Sequence, residues 1–91
     1  MNIEFDGTKN EKNIRDRGIS FELAADFDLA TAKIWIDTRK NYGEKRFIAL
    51  GTIGERLFSM VFTVRGDVLR IISLRKANKR EVNSYEKYTR S

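Results

Sequence analysis

With 91 residues, no cysteine and no histidine, the chain has room for one domain with one modest core, expected over residues 1–91, and lacks the groups for disulfides, thiolate nucleophiles and the usual zinc sites. It carries 18 basic and 13 acidic residues, net +5, divided unevenly into −3 over residues 1–30 and +8 over residues 31–91. The larger part therefore attracts phosphates or an acidic protein, unless its charge serves solubility alone.

Ile3 and Phe5 alternate with polar neighbours and predict a short strand that Gly7 ends. Thr8 and Glu11 have the spacing of a capping box, which predicts a helix from Lys9 to Arg17 stopped by Gly18 in the left-handed conformation. Its one apolar residue is Ile14, so the helix should lie on the surface, held by Ile14 and by the stems of lysine and arginine side chains. Ser20 predicts a second N-cap, and Leu23, Ala24, Phe27 and Ala30 predict an amphipathic helix over residues 21–30 that packs on a sheet.

Four strand-like runs follow: KIWID, RFIALGTI, LFSMVFTV and VLRIISL, separated by short polar segments with Gly43, Gly54 and Gly66 near their ends. Connections this short favour antiparallel neighbours. LFSMVFTV is apolar on both faces and belongs in the middle of the sheet. Gly66-Asp67 suits a type II′ hairpin turn, which takes precedence over reading Arg65-Gly66-Asp67 as an adhesion tripeptide. Val82, Tyr85 and Tyr88 predict a terminal helix from Asn78 to Thr89 with an aromatic edge. The expected architecture is α+β: a short N-terminal strand and two helices, a four-stranded antiparallel meander and a C-terminal helix.

No apolar run approaches the length of a bilayer crossing, and the opening MNIEFDGTKNEK is acidic and polar, unlike a secretory signal, so a cytoplasmic location is expected. The length leaves no room for an elaborate cofactor fold. Gly51-Thr-Ile-Gly54 followed by Glu55-Arg56 lacks the Lys-Ser/Thr ending of a phosphate loop. No cofactor is expected, and nothing points to a carboxylate-bound magnesium ion.

The side chains best suited to a polyanion are arginines, whose planar fork makes paired hydrogen bonds to phosphate oxygens while staying charged. Arg65, Arg70 and Arg75, with Arg56 and Arg80, form a candidate cluster, although each can instead pair with Glu55, Asp67, Glu81 or Glu86 or face water. In a regular strand Arg70 and Arg75 project from opposite faces, and only an end of the strand near Ser73 leaves the side of Arg75 open. Trp35, Phe47, Phe58 and Phe62 are candidate stacking platforms, with core packing the favoured reading and Trp35 the least settled of the four.

The order and spacing of many residues resemble one family. Phe5-Asp6, Lys9, Asn13, Gly18 through Glu22 and Ala24 carry the N-terminal part of the resemblance; Arg46 through Gly51, Gly54, Arg56, Val61-Phe62-Thr63 and Arg65-Gly66 carry the middle; Arg70 through Ser73, Arg75, Ala77, Arg80-Glu81 and Tyr85-Glu86 carry the last. Over nearly the whole chain this resembles the BrnT-type toxins of bacterial type II toxin-antitoxin systems. The chain departs from the family at Phe5-Asp6, where a tryptophan is common, and at Asp16-Arg17, where Lys-His is common, so a permanent cation stands in place of an imidazole.

The resemblance implies a RelE-like ribonuclease that cuts cellular RNA and slows translation. It also implies neutralisation by a cognate ribbon-helix-helix antitoxin of the BrnA type, with operator DNA contacted only through the antitoxin complex. The net +8 region would offer an acidic partner a docking surface, with Tyr85 or Tyr88 as an anchor. RNA cleavage needs no metal when the ribose 2′-hydroxyl attacks the adjacent phosphorus and fixed cations stabilise the developing charge. On that chemistry Arg65, Arg70 and Arg75 are the expected catalytic cations, Lys9 and Glu81 the candidates for proton transfer, and Arg56, Arg80 and Tyr85 the substrate contacts, with Tyr85 also a candidate for proton transfer. Lys9 as a surface charge and Tyr85 as a packing residue are the competing readings.

Overall fold

Residues 2–90 are described by a computed structural model, in which Asn2–Phe5 (β1), Lys33–Ile36 (β2), Phe47–Ile53 (β3), Arg56–Arg65 (β4) and Val68–Lys76 (β5) form one sheet in the order β1-β5-β4-β3-β2. Helix α1 (Gly7–Arg17) and a 3₁₀ helix (Phe21–Asp26) lie between β1 and β2, and helix α2 (Lys79–Arg90) follows β5. The fold is α+β, but the expected four-stranded antiparallel meander is corrected to a five-stranded mixed sheet. β2 to β5 are antiparallel neighbours, and β1 adds to the far edge parallel to β5, with Ile3 opposite Leu69 and Phe5 opposite Ile71. This pairing covers the backbone of a strand that would otherwise be an open edge. Because it joins opposite ends of the chain, no local pattern announces it.

One face of the sheet carries the core. Phe58, Met60 and Phe62 of β4 and Leu69, Ile71 and Leu74 of β5 meet Ile19, Phe21, Ala24 and Phe27 from the segment after α1. β4 sits third of five, as its two-sided apolarity predicts. At Gly51 a Cβ atom would lie 2.6 Å from the Phe27 ring, so glycine is what lets that ring reach the sheet. Gly66 takes φ 63° as first residue of the β4–β5 turn, while Asp67 keeps a negative φ, the sign pattern that a type II′ turn requires.

The two N-terminal helices differ in detail from expectation. Ser20 does cap the second, accepting from the Glu22 N–H at 3.2 Å, but the element is a 3₁₀ helix over Phe21–Asp26 and not an α-helix over 21–30. Phe21, Ala24 and Phe27 are buried at every third residue, the period at which 3₁₀ side chains align, while Leu23 faces water. The cap of α1 is Asp6, whose carboxylate accepts from Thr8 N–H and Lys9 N–H, and not the Thr8–Glu11 box. Gly18 ends the helix with φ 69°, as expected.

Ile14 is 44% exposed and does not hold α1 down. Asn13 does: its buried amide donates to the Ile19 carbonyl at 3.0 Å and to the Leu74 carbonyl at 2.8 Å, tying the helix to β5. Substituting Asn13 by alanine leaves two buried carbonyls without a donor and should cost about 2–4 kcal/mol. Urea unfolding checks this, and a loss under roughly 0.5 kcal/mol would show that α1 is held otherwise.

Candidate functional site

The opposite face of the sheet carries apolar and polar side chains together. Ile48 of β3 stands opposite Val61 of β4, Leu50 opposite Ser59, and Trp35 of β2 opposite Ile48, so these side chains share the face turned away from the core. β5 brings its arginines here through an irregularity. Val61 pairs with Ser73 and Phe62 with Ile71, so Ile72 is an unopposed extra residue, a β-bulge. The bulge changes the alternation in mid-strand: Leu69, Ile71 and Leu74 all enter the core, and Arg70, Ser73 and Arg75 all face the other way. The expected separation of Arg70 and Arg75 onto opposite faces is thereby corrected.

Helix α2 crosses this face at one end. It starts with a capping box, Asn78 N–H donating to Glu81 Oε1 at 2.9 Å and Glu81 N–H to Asn78 Oδ1 at 2.8 Å. Tyr85 donates its hydroxyl to the Thr31 carbonyl at 3.1 Å, and Lys33 donates to Ser84 Oγ at 2.9 Å, fixing the helix near β2. The loop between β2 and β3 and the last turn of α1 supply the remaining walls of a cleft of about 290 Å³.

Four arginines line that cleft: Arg17, Arg39, Arg46 and Arg75. Arg75 makes a two-pronged pair with Glu81, both N–O distances 2.8 Å. Arg39 grips Asp37 in the same way at 2.8 Å and 2.8 Å, and Tyr42 donates its hydroxyl to the same carboxylate at 3.1 Å. Arg46 lays its guanidinium 4.1 Å from the Tyr42 ring centre, and its buried Nε has no hydrogen-bond partner, the Glu44 carboxylate standing at 3.5 Å. Arg17 donates only to neutral oxygens, Asn13 Oδ1 at 3.2 Å and Ser73 Oγ at 3.1 Å. Four cations against the carboxylates of Asp37 and Glu81 leave the lining with surplus positive charge. Trp35, 39% exposed, forms part of the wall, which overturns core packing as its role, whereas Phe58 and Phe62 are core and Phe47 packs against it.

Of the residues singled out from sequence, Arg75 and Glu81 meet in the cleft. Lys9 lines a smaller adjoining hollow that shares Arg17, Ile72 and Ser73 with it. Arg70 is on the same face but lies opposite Glu4 of β1 and pairs with it at 3.5 Å. Arg65 is at the hairpin end of β4, 3.6 Å from Glu44, and Arg56 is exposed at the start of that strand. Arg80 lines a separate groove on α2, and Tyr85 is engaged with Thr31. Sequence reasoning missed Asp37, Arg39, Tyr42 and Arg46 as a group. The signal was there in the run from Asp37 to Arg46, too long and too charged for a plain hairpin loop.

A family model described as the ribonuclease toxin BrnT of type II toxin-antitoxin systems matches residues 5–81. The chain belongs to the BrnT family. The matched span takes in all four cleft arginines and both carboxylates, and ends in the first turn of α2. Membership of a type II toxin-antitoxin family implies an antitoxin as partner. No curated protein matches the chain closely enough to stand beside it as a relative. No helix among the described residues is long and apolar enough to cross a membrane.

In this BrnT chain the cleft carboxylates are held charged. Hydrogen bonds from Arg75 keep Glu81 below its ordinary value, with burial opposing and the Asn78 N–H assisting. The Arg39 guanidinium holds Asp37 well below the usual carboxylate range, again against burial, with the Arg39 N–H and Tyr42 assisting. Arg75 is raised by Glu81, against burial and the nearby positive charge of Arg39.

Because both carboxylates have depressed folded values, their stabilisation is complete above their unfolded values, 4.5 for Glu81 and 3.8 for Asp37, and is lost as pH falls through the folded values. The melting temperature should therefore hold steady from pH 8 to about 5 and fall in acid. Glu81→Gln should flatten part of that fall. Identical acid limbs for wild type and variant in a calorimetric pH series would remove the ion pair as its cause.

Proposed function

We propose that residues 1–91 act as a single toxin-like domain that cuts RNA in this cleft without a metal ion. The observation that carries the reading is the convergence of Arg17, Arg39, Arg46 and Arg75 on one cleft beside an exposed tryptophan. Glu81 and Asp37 aim the forks of Arg75 and Arg39, as two-pronged pairs do. The ribose 2′-oxygen attacks phosphorus and gives its proton to water. Charge gathers on the nonbridging oxygens opposite the guanidiniums, and the bond from phosphorus to the 5′-oxygen breaks. Lys9, in the hollow next to Arg17, supplies the proton that the leaving 5′-oxygen takes up. Arg70 and Arg65 extend the positive field beyond the cleft, and Arg56, Arg80 and Tyr85 belong to more distant substrate contacts.

The product strand ends in a 2′,3′-cyclic phosphate, translation slows as cellular RNA is cut, and the protein acts in the cytoplasm. A cognate ribbon-helix-helix antitoxin neutralises it, and the complex binds operator DNA through the antitoxin. The kinship with RelE that the resemblance implies belongs to the same reading. Labelled single-stranded RNA incubated with the purified chain and a chelator tests it: cyclic-phosphate ends support the toxin. Arg17 favours a second reading, a non-catalytic nucleic-acid-binding module or inactive toxin relative, because a permanent cation holds phosphate but relays no proton. Tight RNA binding with no cleavage, and no growth arrest on induced expression, would decide for that alternative.

A further inference from the structure

A second hollow, of about 860 Å³, opens where α2 passes β2. Four cations line it, Lys33, Lys79, Arg80 and Lys87, and no carboxylate does. This contrasts with the cleft, whose lining includes the carboxylates of Asp37 and Glu81. Lys79 and Arg80 have no acidic partner among the described residues. They also occupy the first turn of α2, where the helix dipole disfavours positive charge, so helix stability does not account for them.

The two hollows share no lining residue but lie side by side. Lys33 and Trp35 are alternate residues on one face of β2, Lys33 lining the groove and Trp35 the cleft, with the Lys33 ammonium 5.5 Å from the Trp35 ring centre. On the other wall, Arg80 lines the groove and its neighbour Glu81 the cleft.

We propose that this groove carries the sugar-phosphate backbone of single-stranded RNA flanking the scissile bond, with a base stacked on Trp35 at the junction. The proposal rests on the ribonuclease reading and adds to it a substrate class, a single strand several nucleotides long. From Lys79 to Lys87 the helix rises by about 12 Å, room for two or more successive phosphates. An aromatic platform beside a basic groove suits single strands, because every base offers a face to stack while the cations follow the backbone. An acidic segment of the antitoxin would use the same charges but would gain nothing from a groove placed beside the cleft and its exposed tryptophan.

The test uses the full chain, the double variant Lys79→Gln/Arg80→Gln and the single variant Trp35→Ala, with 2′-O-methyl RNA, which lacks the attacking hydroxyl, read by fluorescence anisotropy over a salt series. For a twelve-nucleotide probe the double variant should bind about tenfold more weakly or worse, and the slope of log K against log salt should shrink by about 1.4, two phosphate contacts' worth. Trp35→Ala should weaken binding with the slope kept. A trinucleotide should show little change of slope in the double variant.

An unchanged slope, or equal losses for the short and long probes, overturns the groove assignment. So does a double variant that binds RNA as before and loses affinity for the antitoxin, which gives the groove to the protein partner. The changed slope together with no cleavage of natural RNA by wild type supports the groove and removes the ribonuclease reading, so the two failures are distinct. Folding is checked by the melting temperature, which should hold or rise in the double variant because two charges leave the wrong end of a helix dipole.

Discussion

Arg75→Ala should lower RNA cleavage by about 10²–10³-fold, the scale of losing one preorganised donor to a developing oxyanion. Arg75, like Arg39, has its guanidinium set by a two-pronged carboxylate pair, so its position costs little reorganisation when a phosphate arrives. The loss should fall mainly on kcat, since the interaction strengthens as charge builds on the nonbridging oxygens. Arg75→Lys keeps the charge but not the fork and should recover only a small part. Glu81→Gln separates aim from charge: it leaves Arg75 cationic but less well held, and the expected drop is smaller than for Arg75→Ala. Arg90→Ala, at an exposed pair with Glu86 outside the matched family span, serves as the control. A folded Arg75→Ala protein with the activity of that control would sink the assignment.

Arg17→Ala should cost about 10²-fold, because Arg17 is the cleft arginine whose hydrogen bonds go only to neutral oxygens, leaving its charge free for the phosphate. Arg17 also stands where the resemblance places a histidine, and this leads to a sharper expectation for Arg17→His. With no histidine in the chain and both cleft carboxylates held below their ordinary values, the wild-type profile of kcat/KM should be level between about pH 5.5 and 8. An imidazole introduced at the end of α1 should add a limb near its own titration, at about pH 6.5 in a free side chain. A wild-type profile that already bends in this range would require another titrating group and would remove Arg17 from the centre of the account.

Much of the fold was legible because it rests on local chemistry. The four strands KIWID, RFIALGTI, LFSMVFTV and VLRIISL, the stop at Gly18, the cap at Ser20 and the turn at Gly66 all announce themselves within a few residues. What escaped depends on contacts between remote segments. β1 pairs with β5 across nearly the whole chain, and Asn13 is buried because two carbonyls from elsewhere converge on it. The candidate site follows the same division. Arg75 and Glu81 could be named from sequence, but their grouping with Arg17, Arg39 and Arg46 could not, since those three come from a helix end and a loop with no shared spacing. Arg70, named from sequence together with Arg75, is on the same face but tied to Glu4 at the sheet's β1 edge.

The unopposed Ile72 gives β5 a property that extends beyond one strand. A chain without that residue would run Ile71, Ser73, Leu74, Arg75 in plain alternation and still point each of them as now, so the extra unit is unnecessary for sorting oily from charged side chains. What it contributes is its own side chain, which borders both the arginine-lined cleft and the hollow around Lys9, at a bulge of the kind that bends and twists a strand locally. One surplus residue thus supplies a wall shared by both hollows, and lining is separated from sorting in the chain's arithmetic.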